Sequence, residues 1–185
     1  LELLRNFVFV SEQYGLVSNN FVSLAQNPEG TFGSPLTAFA LTLYRLGSWL
    51  CKQSLTISDP EQQRFALLSA DMAFTSAILC DAFQLEAYAG MAFLYGEIGI
   101  NEPVALEWCQ KYKDAEDALL ATPDEKLTPL QQSAKQMIQN PAEYQSVMRE
   151  IAKDAPHLLE GTGPSEDRSG RDLIEDLEQR LMGSK

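Results

Sequence analysis

The stretch that decides the fold is residues 70–99, ADMAFTSAILCDAFQLEAYAGMAFLYGEIG. Ala70, Phe74 and Ala77 recur at three- and four-residue intervals, and so do Tyr88, Met91, Ala92 and Tyr95. That period lines each set along one face of an α-helix, whereas a half-buried strand would alternate every second residue. Alanines interleaved with rings suit helix packing, because a methyl group lets two axes approach and a ring fills the space beside it. The stretch therefore reads as two helices joined by a short turn, with no strand.

Helix-start signals recur on both sides, each a capping side chain followed by a proline within the first turn. Ser34 and Pro35 open a helix to about Leu55, and Asp59 and Pro60 open one to about Ala82. The segment Gln84 to Gly99 follows, then Asn101 and Pro103 open a helix to Ala121. Thr128 with Pro129 starts a short helix to Gln139, and Asn140 with Pro141 starts another to Lys153. Helix, turn and helix recur, so antiparallel hairpins are the expected unit. Residues 1–33 read as an N-terminal helix, with FVFV ambiguous between helix and strand, followed by an irregular connector. Residues 34–160 form the helical domain. GTGPSEDRSG (161–170) reads as a flexible linker, and 171–185 as an amphipathic helix with Leu173, Leu177 and Leu181 on one side and Ile174 beside them.

The chain has 185 residues and a net charge of −12. Glu2, Glu12 and Glu29 are balanced by Arg5, Arg45 and Lys52, so the whole excess lies in residues 59–185. Such a field repels phosphate backbones and anionic lipid headgroups, so nucleic acid is excluded as a partner and basic partners are favoured. No apolar run reaches the roughly 20 residues that span a bilayer, which argues against direct membrane insertion. Cys51, Cys80 and Cys109 are an odd number with no ligand spacing, which points to buried small hydrophobes in a reducing, cytoplasmic setting. Leu1 in place of Met fits a segment cut from a longer chain.

The intervals in the opening stretch resemble the tetratricopeptide repeat, whose first helix carries x-x-Leu-Gly-x-x-Tyr and whose second carries Ala-x-x-x-Phe. Ala70, Phe74 and Ala77 match the second-helix part; Tyr88, Met91, Ala92 and Tyr95 match the next first helix. Leu43, Leu46, Gly47 and Leu50 match an earlier first helix with the Leu-Gly pair intact, and Ala105 and Cys109 stand at the following second-helix positions. The likeness covers roughly residues 36–121. Asp81 is followed by Ala82 where the family closes the helix with Asp-Pro, and Cys109 replaces an aromatic. The resemblance implies an all-α fold in which antiparallel helix hairpins stack as a short TPR-like α-solenoid. An unrelated helical bundle is the alternative, equally all-α.

The resemblance further implies a concave groove lined by first helices, receiving a peptide or a partner helix. Mapped onto this chain, the groove positions are Tyr44, Ser48, Cys51 and Lys52 on the earlier helix and Glu86, Ala89, Phe93, Gly96 and Glu97 on the later one. Chaperone-tail-binding members of the family grip a carboxylate with Lys, Arg and Asn, none of which occurs in residues 84–99. An apolar or basic segment is therefore the expected ligand.

The sequence carries no catalytic pattern. His157 is the one histidine, without metal-ligand spacing and without a nucleophile turn. No glycine-rich phosphate loop occurs, and YKDAEDALL (112–120) reads as a solvated helix face. The expectation is a non-catalytic adaptor or assembly factor, with no cofactor. Two alternatives stand beside it: a secretion-type chaperone, and a structural subunit of a homo-oligomer. The C-terminal helix has several possible seats: in its own groove, on a different face of its own chain as simple packing on the last hairpin, on a second copy, or on a partner. Like charge argues against its own groove.

Overall fold

The computed structural model describes residues 35–99, 101–142 and 170–183, all as helices and their connections, with no strand among them. The elements are α1 (Pro35–Ser54), α2 (Pro60–Cys80), α3 (Leu85–Phe93) running into a π turn (Leu94–Ile98), α4 (Glu102–Ala121), a 3-10 turn (Asp124–Lys126), α5 (Pro129–Gln139) and α6 (Gly170–Gly183). The expected N-terminal helix and connector, most of the helix from Asn140, the linker up to residue 169, and His157 lie outside the described residues.

The chain divides into two compact units, Leu1–Asp81 and Ala82–Lys185. The boundary cuts the stretch expected to be a single domain of residues 34–160. It also places the C-terminal helix inside the second unit.

In the first unit α1 and α2 run back on each other. The Asp59 carboxylate accepts from the Glu61 backbone N–H at 3.0 Å, and Pro60 occupies the first turn, so α2 begins where its orphan donors are satisfied. Across the turn the Gln63 side chain donates to the Ser54 carbonyl at 3.1 Å. Farther along, Phe74 lies over Gly47, and its ring sits 6.2 Å from that of Tyr44. Ala66, Ala70, Ala73 and Ala77 are buried on the same helix. Small residues and a ring thus share the contact between α1 and α2.

A Cβ at Gly47 would stand 2.6 Å from the Phe74 ring, and Phe74 is fully buried, so the ring has nowhere to move. Alanine gains about 1 kcal/mol of helix propensity over glycine, but overpacking costs about 1–3 kcal/mol; the clash outweighs the propensity. Gly47→Ala should therefore lower stability by about 1–2 kcal/mol in urea unfolding followed by circular dichroism. Gly183→Ala, where nothing lies within 4 Å, should show no loss. A stabilised Gly47→Ala would contradict this packing.

Candidate interaction site: the α3–α4 face and its docked helix

In the second unit α3 packs on α4, with Tyr88 and Trp108 rings 6.2 Å apart and the Lys111 ammonium 4.1 Å over the Trp108 ring. The glycine-ended helix expected up to Gly99 closes in a π turn, where Gly99 donates to the Leu94 carbonyl at 2.8 Å and Asn101 to that of Tyr95 at 2.8 Å. Asn101 makes no side-chain cap, unlike Thr128, which forms a capping box with Gln131 at the start of α5. Lys135 on α5 reaches back to the Thr122 carbonyl at 2.7 Å and the Asp124 carboxylate at 2.8 Å. A cation there satisfies the end of α4.

One apolar cluster holds this unit together: Leu85, Ala92, Cys109, Tyr112, Leu119, Leu127, Ile174 and Leu177. Two of its members come from α6, which lies against both α3 and α4. The buried pair is Ile174 and Leu177, with Leu181 packed against the cluster and Leu173 half-buried. The inward row is therefore 174, 177 and 181, spaced three and four, where the sequence pointed first to 173, 177 and 181. A strict four-residue row winds around a helix of 3.6 residues per turn, whereas alternating three and four keeps a stripe straight.

Gly96 is a point of close approach. A Cβ there would stand 3.3 Å from Leu177 and 3.4 Å from Ala105, so any larger side chain would push α6 outward.

Polar contacts fix the register of α6. Arg171 donates to Glu116 at 2.8 Å and to Asp117 at 3.1 Å, Lys113 pairs with Glu178, and Arg180 pairs with Glu97 at 2.6 Å. Like charge was expected to keep this helix out of an acidic groove. Its two arginines instead meet the acids at either end of the seam, and Lys113 meets its Glu178 between them, so local pairing overrides net charge.

The expectation of a solvated face at residues 112–120 is corrected on one side. Asp114 and Asp117 are exposed, but Tyr112, Glu116 and Leu119 are buried. Glu116 is 2% exposed, and burial raises its pKa above the usual carboxylate value, with Arg171 the main opposing influence and Asp117 and Glu175 adding to the rise. Burial likewise raises the Tyr112 pKa. It pushes the Cys109 and Cys51 thiols up to about 11, which keeps both protonated and poorly nucleophilic at neutral pH.

Of the groove residues expected from the sequence, Ala89 and Phe93 pack on the cluster that contains Ile174 and Leu177. Glu97 pairs with Arg180. Glu86 is exposed and accepts from the Gln84 side chain at 2.7 Å. Tyr44, Ser48, Cys51 and Lys52 belong to the first unit; Tyr44 packs near Phe74, Ser48 and Cys51 are half-buried and Lys52 is exposed. Gly96, also among the expected groove positions, lies beside Leu177 and Leu181 of α6; sequence reasoning missed Lys113, and Glu116 with its distant arginine. Among the described residues no group of three or more His, Cys, Asp or Glu side chains could hold a metal ion, and no helix is long and apolar enough to cross a membrane.

No protein-family model, no curated protein and no solved structure matches this chain.

A test of the ion-pair end follows from Glu116. A carboxylate whose folded pKa is raised binds protons more tightly folded than unfolded, so stability falls as pH rises through the window above the ordinary value. Removing Arg171 removes the main influence holding that pKa down. Arg171→Met should therefore lose about 2–3 kcal/mol at pH 7, at the low end for a broken buried pair because Arg171 is partly exposed. Part of the loss should return as the pH is lowered to a second, mildly acidic value, because the raised pKa lets Glu116 take up a proton sooner than an ordinary carboxylate. Adding Glu116→Gln should abolish that recovery, read from thermal melts at both pH values. A loss independent of pH would contradict the assignment.

Proposed function

We propose that this chain is a non-catalytic protein-interaction module, an adaptor or assembly factor, whose second unit accepts an amphipathic helix on the face of α3, the π turn and α4. The observation that carries it is the seating of α6, a helix of the same chain, against Glu97 and Gly96, in the cluster on which Ala89 and Phe93 also pack. These are positions that the resemblance assigned to ligand binding. Helix-in-groove recognition uses apolar anchors at i, i+3 and i+7, the spacing of Ile174, Leu177 and Leu181.

The partner chemistry follows from what the face presents. Glu116 and Asp117 stand at one end and Glu97 at the other, with Lys113 between. The fitting ligand is a helix with three apolar anchors and a basic residue at each end, which narrows the expected apolar or basic segment. The stacked, tetratricopeptide-like order of the hairpins is part of this proposal. Its support is the Gly47–Phe74 contact, made by a glycine and a ring that both stand at positions of the repeat pattern.

The test uses the full chain carrying Leu177→Asp, which weakens the resident helix, and a labelled peptide of residues 170–183 as probe. Fluorescence anisotropy should show saturable binding, weakened about three- to tenfold when Glu97→Lys is added, because the exposed Arg180 pair becomes a repulsion. A peptide with both arginines changed to glutamate should not bind. Equal binding of both peptides, or no binding of either while circular dichroism shows the helices retained, would contradict the proposal.

A further inference from the structure

The first unit carries a surface that the seam of α6 does not involve. On α2 the side chains of Phe65, Leu68, Met72 and Leu79 are 74%, 53%, 70% and 82% exposed. The opposite side of the same helix, from Ala66 to Ala77, is buried. With Thr75, also exposed, the outward row runs 65, 68, 72, 75, 79. Spacing of three and four in alternation is that of a helix seam meant to pack against another helix. An apolar strip of this size marks a place of association.

Three features choose the occupant. The ends of the row are symmetric: Phe65 and Leu79 each stand seven residues from Met72. An antiparallel two-fold axis through Met72 would set Phe65 of one copy on Leu79 of the other, twice, which is the self-complementarity that an isologous dimer requires. Charge permits the approach. Residues 35–81 hold four acids and three bases, and the row itself holds none, whereas residues after Asp81 hold nineteen acids against ten bases. The long-range repulsion between copies therefore resides mainly outside this unit. Area is sufficient. At about 150–200 Å² for each full side chain, four side chains so exposed amount to roughly 500 Å² per copy. Two copies then bury about 1,000 Å², the lower bound for a specific interface.

We infer that the outer face of α2 is a homodimer surface, in which two copies of this chain pair antiparallel about Met72. The association is weak, micromolar in Kd, and strengthens with salt, because screening removes the repulsion between acidic chains while leaving apolar contact intact. This inference is independent of the helix-binding reading above.

The experiment is sedimentation velocity on the full chain from about 1 to 200 μM, bracketing the affinity expected of so small an interface, at about 0.05 and 0.5 M salt. The expected result is a monomer–dimer equilibrium whose Kd falls severalfold at the higher salt. Met72→Glu should raise the Kd at least tenfold with the melting temperature unchanged, since Met72 is exposed. Independently, Met72→Cys treated with a short bismaleimide should yield a residue 72 to residue 72 link, located by peptide mapping against the native cysteines. A monomer throughout the range overturns the inference, whether residues 1–34 or another protein covers the face instead. A dimer that survives Met72→Glu, or one that yields no 72-to-72 link, overturns it equally.

Discussion

Ile174 and Leu177 are the side chains on which the second unit depends. Helices α3 and α4 bring Leu85, Ala92, Cys109 and Leu119 to one side, and the two residues of α6 complete that cluster. Full burial of a side chain of this size contributes about 1.5–3 kcal/mol, whereas half-exposed ion pairs such as Arg180 with Glu97 contribute about 0–1 kcal/mol. The seam therefore supplies the energy of docking. The ion pairs choose which way round and at what height the helix sits.

That division of labour explains how an acidic chain folds an acidic helix onto itself. Net charge describes the field at a distance, where screening sets in within about 8–10 Å. Inside the seam the relevant quantities are a few separations: Arg171 to Glu116 and Asp117, and Arg180 to Glu97. Glu116 is the costly member, because its carboxylate is buried, and it is tolerable only while Arg171 stays beside it. Gly96 imposes a steric condition of the same kind, since even a methyl group there would stand only 3.3 Å from Leu177.

Local features were legible in the sequence. Capping residues followed by prolines located α1, α2, α4 and α5 to within a residue or two, since a cap and its first turn interact over four residues. Gly47 and Phe74 were each legible as packing residues, but not their contact with each other, because the pattern of one helix does not say which residue of the next it meets. The seat of α6 was not legible. Arg171 and Glu116 are 55 residues apart, and no periodicity links them, so Glu116 looked like another charge on a wet face. The π turn escaped too, because its bonds depend on how the chain leaves Gly99, and glycine there reads equally well as an ordinary helix end. The division at Asp81 was hidden for a similar reason. It reflects which helices bury one another, and α6 joins the second unit from the far end of the chain.

A helix of the chain lying on the face proposed for a partner links the fold to the functional reading: the same seam that completes the core defines the ligand it would accept. Native-state hydrogen exchange on the full chain and its Leu177→Asp variant tests that seam most directly. The account predicts that amide protection falls across α3, the π turn and α4 while α1 and α2 keep theirs. Protection unchanged in α3 and α4, or lost evenly over both units, would contradict it.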